Sequence, residues 1–145
     1  MSEARNYHAS AVAFGPGRGV LILGPSGAGK SRLALALLGE GAQLVADDQV
    51  ILSALDGALF ARPPRPIEGM IEARGLGLMH LTFRRLARVV LVVDLGLPAG
   101  PRLPEPATRA IAGVTLPCLR GTPDTPFARA VSYYIPRLGM QERRG

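Results

Sequence analysis

Apolar segments separated by glycine-rich turns open the chain. Ser10–Phe14 and Val20–Leu23 flank the turn Gly15-Pro16-Gly17-Arg18-Gly19, which predicts two strands in a hairpin, the second of them fully buried. Ser31–Leu38 instead combines leucines and alanines with other good helix formers, and glycines follow it directly, which predicts a helix that ends there. The start of the chain therefore predicts the order strand, strand, loop, helix.

An Asp-Gly pair at positions 56–57 indicates a second hairpin, because this pair favours the tight turn that joins two antiparallel strands. The pair lies between Gln43–Leu55 and Leu59–Arg62. We predict that the first of these segments is one long strand, with Asp47 and Asp48 near its start. Neighbouring strand residues point to opposite faces, so the two carboxylates are expected to have different surroundings.

Two later segments are predicted to be irregular. Ile67–Met79 follows three prolines and is punctuated by glycines, which indicates a loop with a short helical or extended flank. Pro98–Pro106 contains four prolines and is predicted to be a loop.

The remaining apolar segments complete an α/β pattern. Val89–Val93 is continuous and rich in β-branched residues, which is typical of a buried strand, and Val114–Leu119 is predicted to be another strand. Near the end, Thr125 is expected to cap a helix with Pro126 at its first position, and Pro136 is expected to break that helix. No repeat or boundary divides the pattern, so we expect residues 1–145 to form a single domain.

The composition favours a globular protein that binds anions. Hydrophobic residues make up 48% of the 145 residues and charged residues 19%, which excludes a disordered chain. The net charge of +6 suits a nucleotide or an acidic partner protein. Lys30 is the only lysine, the arginines are scattered and aromatic residues amount to 5%, so we expect no nucleic-acid partner.

Cellular location is predicted from two absences in the sequence. The N-terminus has no apolar signal segment, and no stretch approaches the roughly 18 consecutive apolar residues of a membrane span. We therefore expect a cytoplasmic protein that does not contact membranes. The single cysteine, Cys118, lies in an apolar segment and is expected to be a buried structural thiol.

A phosphate-binding loop (P-loop) connects the first hairpin to the first helix. Its residues are Gly24, Pro25, Ser26, Gly27, Ala28, Gly29, Lys30 and Ser31. The glycines let backbone N–H groups surround phosphate oxygens, Lys30 reaches the β and γ phosphates, and the Ser31 hydroxyl is a ligand for Mg²⁺. The position between an apolar strand and a helix is the one that this mechanism requires.

A P-loop alone does not identify the reaction, and the acidic partner is open between two candidates. Asp94 ends an apolar strand, as the metal-binding carboxylate of many P-loop enzymes does. The pair Asp47-Asp48 also follows a short apolar run, directly after the P-loop helix.

Three ordered blocks resemble the catalytic C-terminal domain of the bacterial HPr kinase/phosphorylases. The first block is His8 and the hairpin that leads into GVLILGPSGAGKS. The second is LVADDQV, and the third is IEARGLGLM, with the distinctive RGLG after an acidic residue. The blocks cover roughly the first half of the chain.

The resemblance implies a fold and an activity. The expected fold is the phosphoenolpyruvate-carboxykinase-like P-loop fold, an α/β structure with a mostly β central sheet of hairpins and a few flanking helices. The implied enzyme uses ATP and Mg²⁺ to phosphorylate a serine of the phosphocarrier protein HPr in regulation of the phosphotransferase system. It can reverse the reaction by phosphorolysis, which consumes inorganic phosphate and releases pyrophosphate. Homo-oligomers, hexamers in this family, are also implied.

The resemblance also implies residue roles. Asp48 resembles the general base that takes the serine proton, with Asp47 beside it in the metal network. Glu72 resembles a second Mg²⁺ ligand, and His8 a catalytic residue on the phosphate side. Arg120 is the nearest candidate for the catalytic arginine of the family.

The chain departs from the family pattern at three points. Pro25 stands where the family has Asp, and Arg120 is displaced from the arginine of the family's Pro-Gly-Arg-Asn segment. The chain is also expected to be a short form without the regulatory N-terminal domain. Two alternatives stay open: a P-loop small-molecule kinase or NTPase that uses Asp94 as its metal acid, and a nucleotide-sensing regulator without catalysis.

Overall fold

The computed structural model describes residues 4–97 and 107–144, with side chains as far as Leu138. These ranges form eleven strands, two α-helices and a short 3₁₀ turn at Arg65–Ile67. The helices are α1 (Lys30–Gly39) and α2 (Thr125–Arg144). The strands are β1 (Arg5–Tyr7), β2 (Ser10–Ala13), β3 (Gly19–Leu23), β4 (Gln43–Ala46), β5 (Val50–Leu55), β6 (Ala58–Arg62), β7 (Met70–Ala73), β8 (Gly77–His80), β9 (Ala87–Asp94), β10 (Ala107–Ile111) and β11 (Val114–Arg120).

A nine-stranded mixed sheet forms the centre of the α/β fold. Its main order is β1-β5-β6-β9-β3-β2-β4, and β11 joins β9 and carries β10 on its other side. The strand β9 runs parallel to β3 and to β11, whereas the neighbouring hairpins are antiparallel. The parallel strands β3 and β9 end side by side at Leu23 and Asp94, directly before the P-loop.

Two apolar layers cover the two faces of this sheet. Alternate residues of β3 enter different layers: Leu21 packs in one, and Ile22 packs in the other with the helices. Both α1 and α2 lie on the Ile22 side, where their buried leucines and Ile135 meet. The P-loop is therefore held between a buried strand and a helix that is packed on the sheet.

The predicted hairpins around the turn at residues 15–19 and around Asp56-Gly57 are confirmed. The predicted single strand over Gln43–Leu55 is wrong, because β4 ends at Ala46 and β5 begins at Val50. The interruption contains Asp48 in a left-handed conformation with φ 71°. A strand cannot continue through such a residue, so the two aspartates lie in a turn at the end of β4.

Three further predictions require correction or extension. The expected loop over Ile67–Met79 contains the separate hairpin of β7 and β8, whose left-handed turn glycines make the reversal possible. The helix α2 continues through Pro136 instead of ending there, since Ile135 and Leu138 on either side are anchored in the apolar layer. The strands β1 and β10 were not predicted, and the predicted loop at Pro98–Pro106 lies outside the described residues.

Cys118 is buried as predicted, with 2% of its surface exposed, and this burial raises the pKa of its thiol above the usual value. Within residues 4–97 and 107–144, neither helix is long and apolar enough to cross a membrane.

The start of α2 is capped one residue earlier than predicted. The helix begins at Thr125, and the Asp124 carboxylate accepts a hydrogen bond of 2.9 Å from the backbone N–H of Phe127. This bond is the main cause that lowers the pKa of Asp124 below its usual value of 3.8, with a smaller contribution from a bond to Thr122. The carboxylate form of Asp124 therefore stabilises the helix start.

We expect Asp124→Ala to lower the melting temperature at neutral pH, because the replacement removes the acceptor for the Phe127 N–H. Since the folded pKa is lowered, the contribution of Asp124 is present above pH 3.8 and is lost as the pH falls through the lowered value. Thermal unfolding by circular dichroism across this range is the measurement. Asp124→Asn keeps an uncharged acceptor and serves as the control. A deficit of Asp124→Ala that is the same at every pH would contradict this assignment.

Candidate functional site

An open cleft of about 490 Å³ lies at the start of α1. The P-loop forms its floor, with Lys30 and Ser31 at the first turn of α1. His8 and Asp48 line it from the connections beside β2 and β4, and Glu72 and Arg74 line it from the hairpin of β7 and β8. Four segments that are distant in sequence thus surround one cleft.

The P-loop has the backbone of an anion site. Gly27 and Gly29 are left-handed, with φ of 85° and 103°, and α1 begins directly afterwards without a side-chain cap from any described residue. Its first N–H groups and the positive end of its dipole therefore face the cleft. Lys30 is 7% exposed, and its ammonium donates hydrogen bonds to the carbonyl oxygens of Gly24 (2.7 Å) and Pro25 (3.2 Å).

Hydroxyl and carboxylate groups connect the P-loop to the end of β4. The Ser31 hydroxyl lies 2.8 Å from each carboxylate oxygen of the buried Asp47. The Ser10 hydroxyl donates to the same carboxylate at 2.7 Å and accepts the backbone N–H of Asp48 at 3.2 Å. Asp47 is therefore held behind Ser31, and the turn is held so that Asp48 reaches the cleft.

Asp48 forms an exposed pair with His8, in which one carboxylate oxygen lies 2.9 Å from the imidazole Nε2. The other oxygen, Oδ2, has no hydrogen-bond partner among the residues that the structure describes. The left-handed backbone at Asp48 is unusual for a residue with a side chain, and such conformations occur often at functional sites. Asp48 is thus an oriented carboxylate at the cleft, and its Oδ2 is unpaired within the described ranges.

The donors suit a magnesium ion that keeps most of its water. No group of three or more His, Cys, Asp or Glu side chains in the described ranges could hold a metal ion. Mg²⁺ bound to a nucleotide needs only one or two protein oxygens, because phosphates and water supply the others. The oxygens of Ser31 and Asp47 are already adjacent, and Glu72 lines the same cleft. These residues fit Mg²⁺ in that form.

The family model for the HPr Serine kinase C-terminal domain matches residues 1–86. The match covers more than half of the 145 residues and includes every residue that lines the cleft. This chain belongs to the HPr serine kinase C-terminal domain family.

Relatives of the chain match different shares of it. The HPr kinase/phosphorylase of Clostridium beijerinckii is 48% identical over 66 residues, which are 46% of this chain and 22% of the relative. The HPr kinase/phosphorylase of Bordetella pertussis is 44% identical over 87 residues, covering 54% of this chain and 28% of the relative. The chain thus spans about a quarter of the length of these relatives.

A solved structure is similar over nearly the whole chain. The Hpr(Ser) kinase/phosphatase from Coxiella burnetii matches with a TM-score of 0.76 and 25% sequence identity. The match covers 97% of this chain and 99% of that chain. The predicted α/β fold is therefore confirmed by a structure of the same family.

Five of the predicted site residues line one cleft: His8, Lys30, Ser31, Asp48 and Glu72. Asp47 lies directly behind Ser31. Ser26, Gly27 and Gly29 of the P-loop also line the cleft, whereas Gly24, Pro25 and Ala28 do not.

Two other candidates do not line the cleft. Arg120 ends β11 opposite Asp94, and its Nε is buried with no hydrogen-bond partner in the described part of the chain. Asp94 forms an ion pair with Arg109 instead of facing the cleft.

Sequence reasoning missed three residues of this region, namely Ser10, Arg32 and Arg74. Ser10 is a fully buried polar residue within β2, so a hydroxyl inside an apolar strand was the available signal. Arg32 follows the P-loop serine, and Arg74 lies within the third family block, and both line the cleft. Their positive charge suits an anionic ligand.

We expect Gly29→Ala to destabilise the protein more than Gly27→Ala. Both replacements force a side chain into left-handed backbone, which costs about 1–2 kcal/mol. A Cβ at Gly29 would also lie 2.6 Å from Pro123 Cβ, whereas a Cβ at Gly27 has no atom within 4 Å. Urea unfolding measures both losses. Equal losses would contradict the described packing of Pro123 on the P-loop.

Proposed function

We propose that this chain is an ATP-dependent protein-serine kinase that acts on an HPr-like phosphocarrier protein. The observation that carries the proposal is the shared cleft, in which Asp48 with one free oxygen lies together with Lys30 and Ser31 of the P-loop. A kinase needs both a grip on the phosphates and a base for the incoming hydroxyl. Membership of the family supports a protein serine as the source of that hydroxyl.

Asp48 is the general base of the proposed reaction. A neutral serine hydroxyl is a weak nucleophile, so a carboxylate must accept its proton as the new bond to phosphorus forms. Asp48 Oδ2 is available for this proton, while His8 holds the other oxygen at 2.9 Å. The serine oxygen gains the phosphoryl group, the bond to the departing ADP breaks, and the proton stays on Asp48.

The reverse reaction uses the same groups. Protonated Asp48 returns its proton to the serine oxygen as inorganic phosphate takes the phosphoryl group, and pyrophosphate is released. Arg32 and Arg74 face the cleft with Lys30 and provide the positive charge that two phosphate groups require. We propose this phosphorylase activity as a second direction of the same site.

Ser31, Asp47 and Glu72 would hold Mg²⁺ in the proposed enzyme. When bound, the ion neutralises negative charge on the phosphates. The protein's part is to hold the oxygens: Asp47 is fixed by Ser10 and Ser31, and Glu72 projects from the hairpin of β7 and β8. Lys30 must exchange its bonds to the carbonyls of Gly24 and Pro25 for phosphate oxygens.

The proposal extends to the setting of the enzyme. We propose that the enzyme acts in the cytoplasm in regulation of the phosphotransferase system, as a homo-oligomer with hexamers as the expected form, and membership of the family supports this proposal. The scattered arginines and few aromatic residues of the sequence speak against a nucleic-acid partner.

The direct test is incubation of the protein with γ-labelled ATP, Mg²⁺ and a purified HPr-like carrier. Label on a carrier serine supports the proposal. Release of free phosphate without labelled protein would favour an NTPase or small-molecule kinase. Nucleotide binding without either product would favour a sensing regulator.

We expect Asp48→Asn to lower the rate of phosphoryl transfer by about 10²- to 10⁴-fold, because the amide cannot accept the serine proton. ATP affinity should stay within a few-fold of the wild-type value, because the P-loop is unchanged. Carrier labelling and calorimetry measure the two quantities.

Asp56→Asn is the matched control for this variant. Asp56 is also an exposed aspartate in left-handed backbone, with φ 51°, but it lies in the turn between β5 and β6 and does not line the cleft. Its replacement should leave transfer unchanged. Normal transfer by Asp48→Asn would remove Asp48 from the proposed role.

We expect Asp47→Asn to reduce the gain in ATP affinity that Mg²⁺ provides, because one carboxylate oxygen beside Ser31 is replaced by an amide group. The expected loss is roughly tenfold or more in the affinity measured with Mg²⁺. Affinity without Mg²⁺ should change little. Calorimetric titrations with and without Mg²⁺ give both values, and an unchanged Mg²⁺ effect would exclude Asp47 from the metal network.

A further inference from the structure

Asp94 has the position of a metal acid but not the surroundings of one. It ends β9 beside Leu23, the last residue of the strand that leads into the P-loop, and it is 7% exposed. One carboxylate oxygen accepts the backbone N–H of Gly96 at 2.7 Å, and the other accepts from the Arg109 guanidinium in an ion pair. Both oxygens are therefore occupied by protein donors.

The segment that Asp94 holds through the Gly96 N–H packs against the first residues of the P-loop. An added Cβ at Gly96 would lie 3.0 Å from Pro25 Cδ, and one at Gly24 would lie 3.2 Å from Leu95 Cβ. The segment Leu95–Gly96 thus packs directly on Gly24 and Pro25. Their carbonyl groups accept hydrogen bonds from Lys30, so this support reaches the P-loop ammonium.

The backbone of Asp94 supports the other end of the P-loop. Its carbonyl oxygen accepts the N–H of Gly121 at 3.2 Å, at the point where β11 ends. Two residues later, Pro123 packs against Gly29, where an added Cβ would lie 2.6 Å from Pro123 Cβ. Asp94 therefore holds two segments that pack on the P-loop, one through Gly96 and the other through Gly121.

We propose that Asp94 and Arg109 are positioning residues that hold the P-loop in its phosphate-binding shape, and that Asp94 is not a metal ligand. Arg109 neutralises the buried carboxylate from β10, the strand on the far side of β11, which keeps the Gly96 N–H in place. The inference rests on the proposed binding of a nucleotide at the P-loop, and it assigns a role in affinity rather than in proton transfer.

The test measures MgADP binding by calorimetry in the full chain, well below the melting temperature of each variant. Arg109→Met should weaken binding roughly tenfold to hundredfold, because a charged hydrogen bond that orders the site is lost. The factor should be the same with and without Mg²⁺. Arg109→Lys should recover part of the affinity. At saturating nucleotide, transfer to the carrier should stay within about threefold of wild type, since Asp48 and Lys30 remain.

A second variant controls for the buried Asp94 charge that Arg109→Met leaves without a partner. The double variant Asp94→Asn/Arg109→Met removes both charges and keeps an acceptor for the Gly96 N–H, so it should bind MgADP better than Arg109→Met alone. Arg85→Met is the matched control, because Arg85 forms an ion pair with Glu68 away from the cleft. Thermal unfolding by circular dichroism verifies that each variant is folded.

The possible results separate this inference from the proposed function. A wild-type protein that does not bind MgADP contradicts the proposed function itself. Wild-type binding with unchanged affinity in Arg109→Met and in the double variant overturns the positioning role. If Asp94→Asn loses only the part of the nucleotide affinity that depends on Mg²⁺, Asp94 is a metal ligand. That result would also overturn the positioning role.

Discussion

The hydrogen bonds between the Ser31 hydroxyl and the Asp47 carboxylate join the two halves of the site. They attach the first turn of α1 to the end of β4, and therefore attach the phosphate loop to the turn that presents Asp48. Ser10 strengthens this connection, since its hydroxyl bonds to Asp47 and also receives the N–H of Asp48. This link therefore keeps the phosphate-binding loop and the Asp48 carboxylate next to each other in one cleft.

The sheet makes this connection possible because β2 lies between β3 and β4. The end of β3 delivers the P-loop, the end of β4 delivers Asp47 and Asp48, and Ser10 at the start of the antiparallel β2 lies at the same edge. The hairpin of β7 and β8 then closes the cleft from outside the main sheet with Glu72 and Arg74. The main sheet and the separate hairpin thus bring together groups that four separate segments supply.

Local patterns predicted the P-loop, the first hairpin and α1, because glycine positions and apolar periodicity act within a few residues. The break of the second predicted strand at Asp47 and Asp48 was not predictable in this way. It depends on hydroxyl groups of Ser10 and Ser31, which are distant in sequence. Pro136 was expected to end α2 because proline removes a helix hydrogen bond and clashes with the preceding turn. Packing of Ile135 and Leu138 in the apolar layer outweighs this local cost.

Some candidate site residues could be predicted from the sequence, and others depend on contacts between distant segments. The family blocks identified His8, Asp48 and Glu72, and all three line the cleft. Sequence position alone could not decide between Asp94 and the Asp47-Asp48 pair, because the competing partner Arg109 belongs to an unpredicted strand. Long-range ion pairs of this kind are visible only once the chain is folded.

A crystal structure of the protein with Mg²⁺ and a non-hydrolysable ATP analogue tests the central claim most directly. We predict that the terminal phosphate lies against the Lys30 ammonium on one side and faces the Asp48 carboxylate on the other, with room between phosphate and carboxylate for one hydroxyl group. A nucleotide bound outside the P-loop, or a terminal phosphate directed away from Asp48, would contradict the account.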